Sequence, residues 1–98
     1  MTRDLQKRIY ENKVAKGFNT TDAYMEFCYL QVELAEAIQA YGKKLPNLGE
    51  ELADVAIYLL GLAEILDIDL EKEIHSKVEI NEKRMYETRD GVLTRVSD

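Results

Sequence analysis

Four acidic residues form two short motifs on either side of a single turn. Glu33 and Glu36 are three residues apart, and so are Glu51 and Asp54. Residues at this spacing lie on the same side of an α-helix, so each pair projects from one face of its own helix. The neighbouring residues are mostly apolar. Carboxylates in such segments require a partner, because an isolated ionised carboxylate in apolar surroundings is strongly disfavoured.

The short turn "GKKLPN" (residues 42–47) separates the two motifs. A turn of this length makes the flanking helices antiparallel neighbours, and residues equally far from it then lie at similar heights. Glu36 and Glu51 flank the turn, with Glu33 and Asp54 about one helical turn further out. The spacing therefore predicts that all four carboxylates converge on one spot between the two helices.

Converging carboxylates predict a divalent cation. Oxygen ligands without His or Cys favour Mg²⁺, with Mn²⁺ as a substitute, over Zn²⁺. Mg²⁺ usually completes its shell with water and substrate phosphates, which indicates a phosphate ester or phosphoanhydride substrate. The alternative is a solvated surface, the commoner fate of a single E-x-x-E pair. Asp54 argues against it, because it lies among Ala53, Val55 and Ala56 and aspartate is a poor helix-interior residue.

The remaining sequence predicts an all-α chain of four helices in a single domain, residues 1–98. One Pro and five Gly leave few helix breaks. The expected helices cover residues 3–16, about 22–41, 48–66 and 70 to about 87. Residues 88–98 are expected to be a loosely ordered tail.

Residues near the breaks are the expected caps of these helices. Gly17 is the predicted C-terminal cap of the first helix. Thr20 or Thr21 is expected to cap the second, with Asp22 in its first turn. Asn47 and Glu50 have the spacing of a capping box before the third helix, and Asp69 is the expected cap of the fourth; these assignments use the residue types preferred at helix starts.

The third helix is apolar on nearly every side, through residues 52–66. A helix of this kind is buried all round, and a chain of 98 residues can hardly supply that much cover. The sequence therefore predicts that the second and third helices pack against a second copy of the chain. The expected assembly is a helical bundle across a homodimer, with a homotetramer, a dimer of dimers, as the alternative.

Composition excludes several classes of function. A net charge of −6, from 19 acidic and 13 basic residues, would repel nucleic acids. The longest apolar run, residues 55–63, is far shorter than the roughly 20 residues of a membrane span. The single cysteine, Cys28, and the absence of a basic start followed by an apolar run predict a cytoplasmic protein.

The pattern E-x-x-E, about fifteen residues, then E-x-x-D resembles the all-α nucleoside triphosphate pyrophosphohydrolases of the MazG-like superfamily, which includes dimeric dUTPases and dCTP pyrophosphatases. The likeness spans about residues 18–84. It implies Mg²⁺-dependent hydrolysis of an NTP or dNTP to the monophosphate and pyrophosphate, in nucleotide-pool housekeeping. Glu33, Glu36, Glu51 and Asp54 would be its catalytic and metal-binding residues. One of the first two could instead be the base that accepts a proton from the attacking water.

The resemblance also implies substrate-binding residues. Tyr58, one turn after Asp54, matches a family aromatic residue beside the triphosphate. Lys77, Asn81 and Arg84 match the family pattern K-x-x-x-N-x-x-R, and their spacing would place them on one face of the fourth helix. Without the resemblance, that face would be interpreted as solvated surface.

The sequence departs from the family pattern in two respects. Val32 stands where many relatives carry a further glutamate. The sequence has no Trp to line a base pocket, for which Phe18, Tyr24 and Tyr29 are the available aromatic residues. The preferred base and sugar are therefore left open. Two other functions fit the pattern: a non-catalytic regulatory dimer that binds metal and nucleotide, and a purely structural helical dimer.

Overall fold

Four helices and a β-hairpin make up the computed structural model, which describes residues 2–97. The helices are α1 (Thr2–Ala15), α2 (Ala23–Gly42), α3 (Leu48–Ile65) and α4 (Leu70–Lys83). The strands β1 (Tyr86–Arg89) and β2 (Val92–Arg95) follow them. The prediction of a mostly helical chain with four helices is confirmed, and the hairpin is an addition to it.

Local capping residues explain the ends of α1 and the start of α2. Gly17 has φ +71°, and the Phe18 N–H donates to the carbonyl of Lys13 at 2.9 Å, which closes the last turn of α1 as predicted. The cap of α2 is Asp22, whose side chain accepts from the Met25 N–H at 3.2 Å. The prediction of Thr20 or Thr21 as this cap is wrong, because only the carboxylate of Asp22 reaches the first turn.

The predicted cap of α4 is confirmed, whereas that of α3 differs from the prediction. The Asp69 side chain accepts from the Lys72 N–H at 3.2 Å. Asn47 precedes α3, but its side-chain Nδ2 donates to Oε1 of Glu51 at 3.1 Å, and it makes no capping bond to the described backbone. The capping box of Asn47 with Glu50 is therefore wrong, and Glu50 is an exposed residue of the first turn.

The chain after α4 is a hairpin and not the expected continuation of the helix into a loose tail. α4 ends at Lys83, four residues before the predicted end. Asp90 and Gly91 both have positive φ, 51° and 77°, which fits a two-residue turn whose twist matches that of the strands. The strands pair in register from Tyr86 opposite Arg95 to Arg89 opposite Val92.

A buried amide joins α1 to the connection between α3 and α4. The Gln6 side chain is fully buried. Its Nε2 donates to Oε1 of Glu64 at 2.9 Å and to the carbonyl of Ile68 at 2.6 Å, and its Oε1 accepts from the Leu70 N–H at 3.3 Å. Since every polar atom of this amide is satisfied, it fixes α1 along α3 and sets the direction in which α4 leaves.

The chain leaves an unusually large surface exposed. Its fully buried apolar residues are only Ala37, Ala40, Leu62 and Ala63 among residues 2–97. The accessible area is 7579 Å², against about 5,700 Å² for a compact protein of this mass. The radius of gyration is 17.1 Å, against about 12.6 Å for a compact domain of this length. No helix within residues 2–97 is both long and apolar enough to cross a membrane.

Candidate functional site

Three of the four predicted acids meet between α2 and α3. Glu33 and Glu36 project from α2 and Glu51 from α3, and a carboxylate oxygen of each lies within 4.8 Å of the others. Glu33 and Glu51 are half-buried, whereas Glu36 is exposed. The helical hairpin therefore brings these three side chains together as its spacing predicts. We call them the acidic cluster.

Asp54 lies at the edge of the acidic cluster. Its charge acts on both Glu33 and Glu51, yet its carboxylate is outside the group of mutually close oxygens within the described residues. Asp54 is also exposed. The helix face that its apolar sequence neighbours form is itself largely uncovered in the single chain.

Burial and mutual repulsion raise the pKa of two carboxyls of the acidic cluster above its usual value. For Glu33, removal from water is the main cause, followed by the charges of Glu36 and Asp54. For Glu51, removal from water again leads, followed by the charges of the same two residues. Negative charge at this site is thus uncompensated by the described protein, and a bound cation would relieve it.

Two buried oxygens beside the acidic cluster lack a hydrogen-bond partner among residues 2–97. They are Oε2 of Glu51 and Oδ1 of Asn47. Buried polar atoms are normally satisfied by protein, water or an ion. A set of carboxylate oxygens that includes one buried oxygen without a hydrogen-bond partner fits a hard divalent cation such as Mg²⁺ or Mn²⁺.

Tyr58 lies beside the acidic cluster. Its pKa is raised by burial first and then by the charges of Glu33 and Glu26. Its ring contacts that of Tyr29 edge to face, with 6.1 Å between centroids and 66° between planes. The ammonium of Lys13 lies 5.4 Å from the centroid of the Tyr58 ring. These contacts hold the Tyr58 ring between the acidic cluster and α1.

A buried ion pair, absent from the sequence predictions, lies behind Tyr58. Nζ of Lys13 donates to Oε1 of Glu26, and Nδ2 of Asn19 donates to Oε2 of Glu26 at 3.0 Å. The Glu26 side chain is only 1% exposed. Glu26 precedes Glu33 by seven residues, two helical turns, and this spacing on one face of α2 was the available signal.

A cavity of about 260 Å³ opens between this ion pair and the aromatic rings. Its lining comprises Lys13, Phe18, Asn19, Glu26, Tyr29 and Tyr58. Phe18 and Tyr29 thus line a cavity beside the acidic cluster. Tyr24, the third aromatic residue available for a base pocket, is 85% exposed and does not line this cavity.

The predicted face of Lys77, Asn81 and Arg84 is not formed as one helical stripe. Lys77 and Asn81 lie exposed on α4, whereas Arg84 follows the helix with extended backbone dihedrals. Arg84 Nη1 donates to Oδ1 of Asn81 at 3.0 Å. Within the described chain α4 packs mainly on α1 and not on the hairpin of α2 and α3, so one copy does not bring these residues to its own acidic cluster.

Comparisons with protein-family models, with curated proteins and with solved structures found no match for this chain. The likeness to the MazG-like superfamily therefore depends on the motif residues alone. The geometry of the acidic cluster and of the adjoining cavity is the independent basis for a functional interpretation.

Proposed function

We propose that this protein is a Mg²⁺-dependent nucleoside triphosphate pyrophosphohydrolase. The observation that carries the proposal is the meeting of Glu33, Glu36 and Glu51, whose carboxylate oxygens lie within 4.8 Å of one another. Three acids without a protein cation beside them favour a bound divalent ion. A divalent ion held by carboxylates with its remaining positions open is typical of enzymes that act on phosphates.

Each acid has a defined task in this reaction. Glu33, Glu36 and Glu51 would hold Mg²⁺, and Mn²⁺ would substitute. When bound, the cation neutralises phosphate charge and acidifies water. Asp54, at the edge of the acidic cluster, would hold the ion or orient a water molecule. Glu33 or Glu36 would accept the proton of the attacking water.

The cavity behind Tyr58 would receive the base of the nucleotide. It adjoins the acidic cluster through Tyr58, so a ligand with its phosphates at the acids can extend into it. The rings of Phe18, Tyr29 and Tyr58 offer faces and edges for stacking. Lys13 uses one donor on Glu26 and keeps others for a carbonyl of the ligand.

The active form would be a homodimer. The chain exposes about 1,900 Å² more than a compact protein of its mass, and two copies burying that excess would form an interface of about 3,800 Å², within the range of obligate dimers. Ile38, Leu52 and Val78 are between 46% and 64% exposed and would contribute to it. The partner's α4 would then bring Lys77, Asn81 and Arg84 to the substrate phosphates.

The substrate would be a free nucleotide of the cytoplasmic pool and not a nucleic acid. A chain with net charge −6 repels an extended polyanion, whereas Mg²⁺ can carry a single triphosphate to an acidic site. The proposed role is accordingly nucleotide-pool housekeeping.

Release of pyrophosphate from a panel of NTPs and dNTPs with Mg²⁺ tests the proposal. We expect turnover of at least one nucleotide, its loss without metal, and its loss in Glu36→Gln and Asp54→Asn. Glu50→Gln is the matched control, because it removes a charge from the same turn of α3 outside the acidic cluster. Tight nucleotide binding without turnover would instead establish a regulatory binding module, and metal-independent behaviour would refute both functions.

A further inference from the structure

Asn47 has a helix-capping residue type but uses its side chain elsewhere. It stands immediately before α3, where an Asn side chain commonly accepts from the first backbone N–H groups. Here Nδ2 of Asn47 donates to Oε1 of Glu51 at 3.1 Å. The chain thus forgoes a stabilising cap in order to hold one oxygen of one carboxylate.

This hydrogen bond engages only one of the two carboxylate oxygens of Glu51. Oε1 accepts from Asn47, whereas Oε2 is buried with no partner in residues 2–97. The amide oxygen of Asn47 is buried and unpartnered as well. A buried acceptor without a donor destabilises the folded state. Two such oxygens on hydrogen-bonded neighbours, beside Glu33 and Glu36, indicate that the structure is completed by a bound species.

We propose that Asn47 is a positioning residue of the cation site: by holding Oε1 of Glu51 it directs Oε2 to the cation. The inference rests on the proposed function in that it takes Glu51 as a ligand of a divalent ion. A hydrogen bond to one oxygen restricts rotation of the carboxylate and presents the other in a fixed direction. A hydrated cation would satisfy both orphaned oxygens, that of Glu51 through the ion and that of Asn47 through a water molecule.

Two substitutions separate positioning of Glu51 from a purely structural role at the start of α3. Asn47→Ser and Asn47→Thr both retain a good capping residue and add no charge. Their hydroxyls lie one bond closer to the backbone than the amide nitrogen of Asn47, so neither holds Oε1 of Glu51. Neither variant should unfold. Because each new side chain is free to cap α3, the melting temperature without metal should be unchanged or higher.

Calorimetric titration with Mn²⁺, without nucleotide, gives the decisive measurement. We expect both variants to bind Mn²⁺ about tenfold to a hundredfold more weakly than wild type, the usual effect of losing a group that orients a metal ligand. Wild-type affinity in both would overturn the proposal. Glu50→Gln controls for a general change of charge at this helix end and should weaken binding less than either variant.

A double-mutant comparison tests whether Asn47 acts through Glu51. In a Glu51→Gln background, Asn47→Ser should cause no further loss of Mn²⁺ affinity. An additive loss would show that Asn47 acts elsewhere and would overturn the proposal.

The same titrations distinguish failure of this inference from failure of the proposed function. If wild type binds Mn²⁺ in an Asn47-dependent way but releases no pyrophosphate, the hydrolase proposal fails and the inference stands. If wild type turns over nucleotides and the variants bind Mn²⁺ normally, only the inference fails. Absence of Mn²⁺ binding by wild type would refute both.

Discussion

The ammonium of Lys13 lies 5.4 Å from the centroid of the Tyr58 ring while it is paired with the buried carboxylate of Glu26. This relationship joins α1 to α2 and α3 at the wall of the cavity beside the acidic cluster. Gly61 on α3 permits it, because a Cβ there would come within 3.4 Å of the Lys13 side chain. A buried ion pair is weak evidence for stability, since desolvation offsets most of the attraction. Its position at the cavity instead favours a role in ligand binding.

The first prediction concerns the cost of breaking this ion pair. Lys13→Met leaves the Glu26 carboxylate buried without its cation and should lower the free energy of unfolding by about 3–5 kcal/mol. Urea denaturation measures the change. Lys7→Met is the matched control on the same helix, because Lys7 is exposed and should change stability by less than about 0.5 kcal/mol.

Replacing both members of the pair should separate stability from binding. In the double variant Lys13→Met, Glu26→Met, no uncompensated charge remains, so stability should return to near the wild-type value. Nucleotide affinity, measured by calorimetry, should remain reduced because the polar end of the cavity is gone. Wild-type affinity in the stable double variant would exclude the cavity as the base pocket.

The carboxylates of the acidic cluster should lower the stability of the metal-free protein while they provide the ligands for Mg²⁺. Glu36→Gln removes one of three neighbouring negative charges and should raise the metal-free stability by about 0.2–0.5 kcal/mol, the usual scale of a repulsive pair on a helix. Its turnover with Mg²⁺ should fall by at least about a hundredfold, beyond the loss typical of residues that only support a ligand. Equal activity of Glu36→Gln and the Glu50→Gln control would argue against the metal site.

The raised pKa values of Glu33 and Glu51 predict the pH dependence of the metal-free protein. Both groups bind protons more tightly when folded, so their contribution to stability is complete below the unfolded value near 4.5 and is lost as pH rises through the higher folded pKa. Urea denaturation at a series of pH values should show this loss, and Glu33→Gln should make it smaller. Mg²⁺ should stabilise more as pH rises, since it binds the ionised carboxylates. A Mg²⁺ effect that does not change with pH would contradict this account.

The proposed homodimer predicts that a charge on the exposed face of α2 dissociates the assembly. Ile38 is 64% exposed in the single chain, so Ile38→Glu should cost the monomer little. If a second copy covers this face, the substitution should dissociate the assembly, as light scattering at several concentrations would show. Gln39→Glu adds the same charge one position away as a control, and an unchanged mass for Ile38→Glu would exclude this face from the interface.

Mixing two inactive variants would test whether the partner completes the site. Glu36→Gln lacks an acid, whereas Lys77→Ala lacks a cation of α4. If the partner's α4 serves the acidic cluster, mixed dimers contain one intact site and recover part of the activity. No recovery after exchange of subunits would exclude a contribution of the partner's α4 to the site.

Much of this protein follows from local sequence. Helix propensity, the cap at Asp69 and the αL glycine at Gly17 depend on a few adjacent residues, and each was predictable for that reason. The hairpin was equally local, since Asp90-Gly91 is a strong turn signal. It was missed because its short segment was interpreted as a tail.

The outline of the acidic cluster was also contained in the sequence. Equal distances from one tight turn determine which residues of two antiparallel helices meet, so Glu33, Glu36 and Glu51 were placed together by counting alone. The same counting placed Asp54 with these three residues, whereas Asp54 is exposed at the edge of the acidic cluster. Burial depends on what covers a helix face, and the sequence of that helix does not contain this information.

Only the tertiary structure determined the buried ion pair beside the site. Lys13 and Glu26 pair because α1 packs against α3 beside the start of α2. This contact depends on side-chain positions set by packing between helices, whereas Asn47 and Glu51 are four residues apart and meet at the start of one helix. Periodicity determines which face of a helix a residue occupies, whereas the partner it meets there is determined by how the helices pack in three dimensions.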